Sequence, residues 1–252
     1  MNINKAQSSE LIAHGLKGKR ILITAGPTWV AIDKVRVISN IATGETGILL
    51  AERLQDLGAD VTLLLGPFPN EVFLRRVSSG SRRETEAKTT FGTYACCLNR
   101  KIKLLRFKFF QELKDLINRQ LGGGRKYDAI IHSAAVSDFR LKQCLRGKLD
   151  SNKIHSLKLI PLPKIIENIR RLAPHAKLIM FKLELGVSGA ILIQRAKAAQ
   201  LKLGTDFVVA NRINPYRAFI IDRKGNTIPV KSKTELVERL LKILSLTFNF
   251  YN

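Results

Sequence analysis

The stretch "KVRVISNIATGETGILLAERL" at positions 34–54 sets a polar, glycine-punctuated turn between two apolar runs. Asn40 in that turn carries an amide that can donate to an acyl or carboxylate oxygen and accept from an amine without adding a charge. Gly44 and Gly47 stand where a helix should begin. There a bare backbone can approach a ligand closely, and free N–H groups with the helix dipole favour a phosphate. These residue types also have ordinary uses: asparagine before a helix is a common cap or turn residue, and a lone Gly-x-x-Gly often only packs a helix onto a sheet. A second polar edge follows the apolar run in "YDAIIHSAAVSDF". The small Ala134 and Ala135 leave space for a ligand there, and Asp138 can accept from ribose hydroxyls or cap a helix.

The surrounding elements must bring these two edges together. "RILITAG" is β-branched and leucine-rich and ends in small residues, which predicts a buried strand over 21–24. "GILLAERLQDLG" puts Leu50, Leu54 and Leu57 on one helical face before Gly58 stops the helix, and 61–65 reads as the next buried strand. Strand, helix, strand makes a right-handed βαβ unit, so the first loop and the helix start face the carboxyl edge of a parallel sheet, where ligands bind. A long, partly mobile connection is expected over 67–100. After it "IKLLRF" reads as a strand, and Phe109, Leu113, Leu116 and Ile117 as a helix that stops at "GGG". A strand over 129–132 then delivers the second edge to the same crevice. Beyond it come a short strand in "HSLKLIP", a helix started by Pro163, strands in "KLIMFKLE" and "DFVVAN", a helix in "ILIQRAKAAQLKLG" and a hairpin around "KGN". The last helix is announced by a capping box of Ser232 and Glu235. The fold class is therefore α/β, a Rossmann-like three-layer sandwich with a mainly parallel central sheet plus a small β-hairpin extension. We expect one domain over 1–252, with 1–17 as an N-terminal extension.

Composition narrows the function classes. A chain of 252 residues with 45% hydrophobic content can bury a sizeable core. Cys96, Cys97 and Cys144 form no Cys-x-x-Cys pair, and their odd number argues against a disulfide framework, so a reducing cytosol is the expected setting. No run approaches the roughly 18 apolar residues of a membrane span, and the N-terminus lacks the apolar region of a signal peptide. The formal charge of +23 draws in anions of many kinds, but the basic residues are spread along the chain and often fall on polar helix faces. No RNP, zinc-finger or helix-turn-helix signature accompanies the charge, so nucleic-acid binding is at most a secondary electrostatic property. A nicotinamide-dependent oxidoreductase is disfavoured too, because "TAGPTWV" lacks G-x-G-x-x-G and no Tyr-x-x-x-Lys pair is present.

An ordered series of motifs from about Lys17 to Leu244 resembles the phosphopantothenoylcysteine synthetase family: "ITAGPT", "VRVISNIATGETG", "AAVSDF", "GKL", "IPLPKII", "FKLE" and "VVAN". The resemblance implies a ligase that joins 4′-phosphopantothenate and cysteine in coenzyme A biosynthesis, with CTP or ATP as co-substrate and Mg2+, through an acyl nucleotide. It implies Lys148 as a compact charge on the nucleotide phosphates, Arg36 as a bidentate partner of phosphate or carboxylate, and Asn40 in binding the acyl nucleotide and supporting amide formation. The nucleotide site would be formed by His132, Ser133, Ala134, Ala135, Asp138, Pro163, Lys164, Ile165, Ile166 and Phe181, with Lys197 and Lys202 on a later helix. The phosphates of substrate would meet Gly44, Gly47 and Asn211. No metal ligands are indicated. Members are often fused to a flavin-dependent decarboxylase; no room for one precedes Lys17, so a monofunctional form without flavin is expected. Family kinship also implies a homodimer, with the "KGN" hairpin and the loop around Gly147 as contact regions. Two departures stand out. Ala42, Thr43 and Glu45 replace the family's serine- and lysine-bearing turn, and an acid beside a phosphate site would repel it unless it points away. "KLDS" stands where many bacterial members have "KIKK", closer to the eukaryotic type.

Overall fold

The computed structural model describes residues 5–67, 101–124, 126–143, 147–213 and 215–249, with backbone only at 5–9 and 11. The expected connection over 67–100 lies outside the described residues from 68 onward.

In chain order the elements begin with α1 (Lys5–Leu16), β1 (Arg20–Ala25), β2 (Trp29–Ala31), β3 (Val37–Ser39), α2 (Glu45–Asp56), β4 (Asp60–Leu65), β5 (Lys103–Arg106) and α3 (Phe110–Gly122). They continue with β6 (Ala129–His132), β7 (Phe139–Leu141), β8 (Leu159–Pro161), α4 (Ile165–Leu172), β9 (Lys177–Leu183) and α5 (Gly189–Leu203). The chain closes with β10 (Phe207–Arg212), β11 (Arg217–Asp222), β12 (Thr227–Val230) and α6 (Lys233–Asn249).

Eight strands form one sheet in the order β12-β11-β10-β9-β6-β1-β4-β5. The strands from β10 to β5 run parallel, and β11 and β12 continue the sheet antiparallel. The expected hairpin around Lys224–Asn226 is thus the edge of the main sheet. From β1 the chain steps to β4 on one side, whereas β6, β9 and β10 follow on the other. Right-handed crossovers that step in opposite directions must place their helices on opposite faces. The two cores obey this. One face packs Ile48, Leu50 and Leu54 of α2 and Leu240 and Leu244 of α6 against Ile21, Ile23 and Leu63. The other packs Leu113 and Ile117 of α3, Ile169 of α4 and Leu192 of α5 against Leu22, Ile130 and Leu178. Each fully buried leucine contributes about 2 kcal/mol of burial, and the apolar stripes at helical spacing are what commit these segments to helix.

Three features differ from the sequence reading. The N-terminal segment is helical from Lys5 and packs along α6. Two short hairpins, β2–β3 and β7–β8, stand above the carboxyl edge, with β2 against β7. The helix expected to start at Pro163 begins two residues later, at Ile165. The capping box at α6 forms with a shift: Ser232 Oγ accepts from Glu235 N at 3.1 Å, while Glu235 Oε2 accepts from Lys231 N at 2.9 Å.

Candidate active site

The strand order reverses between β1 and β6, and in such sheets the crevice outside the carboxyl ends at that point is where ligands bind. Here the two loops leaving those strands are joined residue by residue. Thr24 O accepts from Ser133 N at 3.0 Å, Gly26 O from Ala135 N at 2.9 Å and Ala135 O from Thr28 N at 3.2 Å. Side chains reinforce the seam: Ser133 Oγ donates to Thr24 O at 2.8 Å, and Ser137 N donates to Thr28 Oγ1 at 2.8 Å. His132 Nδ1 lies 2.8 Å from Thr24 Oγ1, and burial pushes its imidazole down to about 4, so it is neutral at pH 7. Thr24, Thr28 and Ser137 were not anticipated from sequence; the run of hydroxyl and small residues at both strand ends was the available signal.

Asn40 joins the first motif to the second edge, because its Nδ2 donates to Ala135 O at 3.0 Å and to Val136 O at 3.4 Å. Its amide oxygen stays available at an exposed position. Asp138 follows two residues after Val136. Its carboxylate is paired with Lys164 at 2.5 Å, and its carbonyl accepts from Leu162 N at 2.8 Å. That pairing brings the turn at Pro163 to the crevice. Pro163, Lys164 and Ile165 line a cavity of about 350 Å³ with Phe110, Lys114 and Arg171, between the starts of α3 and α4. Ile166 is buried in the core.

At the start of α2, Gly44 adopts φ 73°, a left-handed conformation that glycine enters without strain, and as the cap residue it offers no side chain to the helix. Glu45 N donates to Thr43 Oγ1 at 3.3 Å, which leaves the next amides of the first turn without an intrahelical acceptor. A methyl group on Gly47 would lie 2.4 Å from Ala25 Cβ and 2.9 Å from Ser133 Oγ, so this glycine is what lets the helix start seat against both loops. Glu45 turns away: its carboxylate pairs with Lys233 at the start of α6, and burial, helped by this nearby acid, raises Tyr216 to about 12.

Arg36 Nη1 donates to Asp33 Oδ2 at 2.8 Å and to Leu149 O at 3.4 Å. The Asp33 side chain is 0% exposed, and hydrogen bonds from Leu149, Val35 and Arg36 hold its carboxyl well below the usual range against the opposing effect of burial. Lys148, beside Leu149, is exposed and makes no ion pair among the described residues. Two further candidates lie along the carboxyl edge on the neighbouring strands β9 and β10. Phe181 is half-buried against the core on the α2 and α6 face. Asn211 accepts from Glu184 N at 3.1 Å through its carbonyl, at the carboxyl end of β10.

Lys197 and Lys202 stand on α5, away from these loops. α5 leads into the start of β10, which pairs Phe207 with Asp222, and Lys197 Nζ lies beside the Gly225 turn that follows Asp222. Both lysines therefore sit toward the amino edge of the sheet, a strand's length from the crevice. Among the described residues no three His, Cys, Asp or Glu side chains gather to hold a metal ion, and no helix is long and apolar enough to cross a membrane.

Comparison with known proteins gives a consistent result. The model of the family described as "DNA/pantothenate metabolism flavoprotein C-terminal domain" matches residues 16–99 and 90–246. The coenzyme A biosynthesis bifunctional protein CoaBC of Thermococcus kodakarensis is 33% identical over 231 residues, which cover 89% of this chain and 50% of that protein. CoaBC of Borreliella burgdorferi is 33% identical over 242 residues, 91% of this chain and 53% of that protein. The chain thus spans about half the length of these curated relatives. Among solved structures, the DNA/pantothenate metabolism flavoprotein from Streptococcus pneumoniae superposes with a TM-score of 0.72 at 24% identity, covering 91% of this chain and 100% of that one. A Cab2 variant solved in complex with phosphopantothenate-cysteine superposes with a TM-score of 0.67 at 19% identity, covering 98% of this chain and 93% of that one. At these identities the structures establish the α/β fold.

Proposed function

The chain belongs to the DNA/pantothenate metabolism flavoprotein C-terminal domain family, and from that membership we propose that it joins 4′-phosphopantothenate to cysteine in coenzyme A biosynthesis, in the cytosol. The observation that carries this reading is the seam between the loops after β1 and β6, which gathers Asn40, the uncapped start of α2 and the Asp138–Lys164 pair around one crevice.

The chemistry proceeds in two steps. A carboxylate oxygen of phosphopantothenate attacks the α-phosphorus of CTP or ATP, the bond to the leaving oxygen breaks, and pyrophosphate departs. The amine of cysteine then attacks the acyl carbon, the nucleoside monophosphate leaves, and the amine proton passes to solvent. The first step brings two anions together, so cations already directed at the site lower its barrier. Lys148, free of any ion pair among the described residues, and Arg36 supply them. The α2 amides suit a phosphate, and the second Asp138 oxygen suits a ribose hydroxyl. Asn40, its Nδ2 anchored on Ala135 O, has its oxygen left to accept from the attacking amine. The acids near the crevice are engaged with Arg36, Lys164 and Lys233, so magnesium would arrive on the nucleotide's phosphates rather than in a protein cage. No step here is assigned to it.

Exposed apolar side chains on the two hairpins and in the loop after β3 support the homodimer: Val35 is 68%, Phe139 49% and Ile41 97% exposed. They favour the β2–β3 and β7–β8 hairpins over the "KGN" hairpin as the contact.

The test separates the two half-reactions. With phosphopantothenate and either nucleotide, pyrophosphate release reports the acyl nucleotide; adding cysteine reports amide formation. Lys148→Gln should lose the first step, whereas Asn40→Asp should retain it and slow the second. Equal loss of both steps in Asn40→Asp contradicts its role, and absence of cysteine-dependent product with both CTP and ATP contradicts the function.

A further inference from the structure

We propose that Asp33 is a positioning residue that locks the loop bearing Arg36 to the segment bearing Lys148, so that the two cations meet a nucleotide's phosphates as one unit. This rests on the roles given to Arg36 and Lys148 above and deepens them. The Asp33 carboxylate is used on both oxygens. Oδ1 accepts from Val35 N and Arg36 N, each at 2.7 Å, which folds its own loop around it. Oδ2 accepts from Arg36 Nη1 at 2.8 Å and from Leu149 N at 3.0 Å, more than a hundred residues along the chain. Arg36 closes the circuit by donating to Leu149 O at 3.4 Å. Leu149 is therefore gripped at both backbone polar groups, its N–H by the carboxylate and its carbonyl by the guanidinium.

Among the described residues, the hydrogen bonds found between 147–150 and distant parts of the chain all go to Asp33 or Arg36. Those of Asp150 stay local, to Asn152 N and the ring of His155. Lys148 makes no ion pair among the described residues, so its reach is set by the backbone on which it stands. A buried carboxylate surrounded only by donors also explains why an acid occupies this place: an amide would turn its NH2 toward two of these donors and lose two of the four bonds.

The experiment is a double-mutant cycle on nucleotide affinity in the full chain, with CTP and ATP each titrated in the absence of phosphopantothenate, so that no turnover is needed. Asp33→Asn should weaken affinity about tenfold in the wild-type background and about threefold or less with Lys148→Gln, because coupled groups do not add. Hydrogen exchange should quicken at Leu149 while β1 and β6 keep their protection. Leu149→Pro, which deletes the N–H donor and leaves Asp33 in place, should reproduce the affinity loss should Asp33→Asn fail to fold. Equal losses in both backgrounds, unchanged exchange at Leu149, or a loss that only tracks the unfolded fraction overturns the proposal. Protein that binds nucleotide but makes no product refutes the proposed function alone; protein that binds neither nucleotide refutes both.

Discussion

Lowering the pH from 7 toward 4 should cost the fold about 3 kcal/mol through His132 alone. Burial lowers this imidazole from 6.5 to about 4 in the folded protein. Between those values the unfolded chain holds a proton that the folded chain does not. Stability therefore falls as pH falls, by about 1.4 kcal/mol per unit, with the full contribution present above 6.5 and none left to lose below about 4. The shift of about 2.5 units gives the total, an upper figure because the ring is not wholly sealed from solvent. Urea unfolding at half-unit steps from pH 7 to 4.5, compared between wild type and His132→Gln, isolates the histidine from the carboxylates that titrate lower. The glutamine keeps a polar partner for the Thr24 hydroxyl, 2.8 Å away in wild type, and carries no titrating group. The stability difference between the two proteins should close by about 1 kcal/mol per pH unit below 6.5. Parallel curves, or a His132 NMR titration centred near 6.5, would refute the argument. A neutral ring also means that His132 adds no charge to the crevice at physiological pH.

Gly47→Ala should destabilise by about 1–3 kcal/mol, since its methyl would press on Ala25 and Ser133, and should weaken pyrophosphate binding because the α2 start must shift; calorimetry and urea melts check both. Asp206→Ala should cost about 3 kcal/mol by leaving Arg170 and Leu178 N without their acceptor, yet leave nucleotide affinity unchanged because it lies at the opposite edge of the sheet. Lys233→Met should release Glu45 beside the uncapped α2 amides and weaken nucleotide binding severalfold at low salt, an effect that Glu45→Gln in the same chain should remove.

The elements that position the crevice were legible because each carries a local signal. β1, β4 and β6 are continuous apolar runs, and Leu50 and Leu54 of α2 fall at helical spacing, both fully buried. The β2–β3 and β7–β8 hairpins carried none. Their strands are three residues long, and all three residues of β3 are exposed, so any alternation of buried and exposed positions was too short to be read. Asp33 was hidden for a related reason: an acid three residues before an arginine in a polar turn reads as a solvated pair, and its partner at Leu149 is set only by the tertiary fold. The place of Lys202 could have been read in advance. A helix that returns along a parallel sheet ends at the amino edge, and Lys202 stands in the last turn of α5, just before β10.

The charge of the crevice follows from pairing, not from the overall +23. Asp33 is held by Arg36, Asp138 by Lys164 and Glu45 by Lys233, and His132 is neutral, so each acid near the two edges is already matched. Among the described residues Lys148 carries an unpaired charge, and the start of α2 adds its positive end. Two anionic reactants must approach there with Arg36, so the position of each cation matters. That places the burden on whatever fixes Lys148, and among the described residues the long-range hydrogen bonds of its segment lead back to the turn containing Asp33 and Arg36.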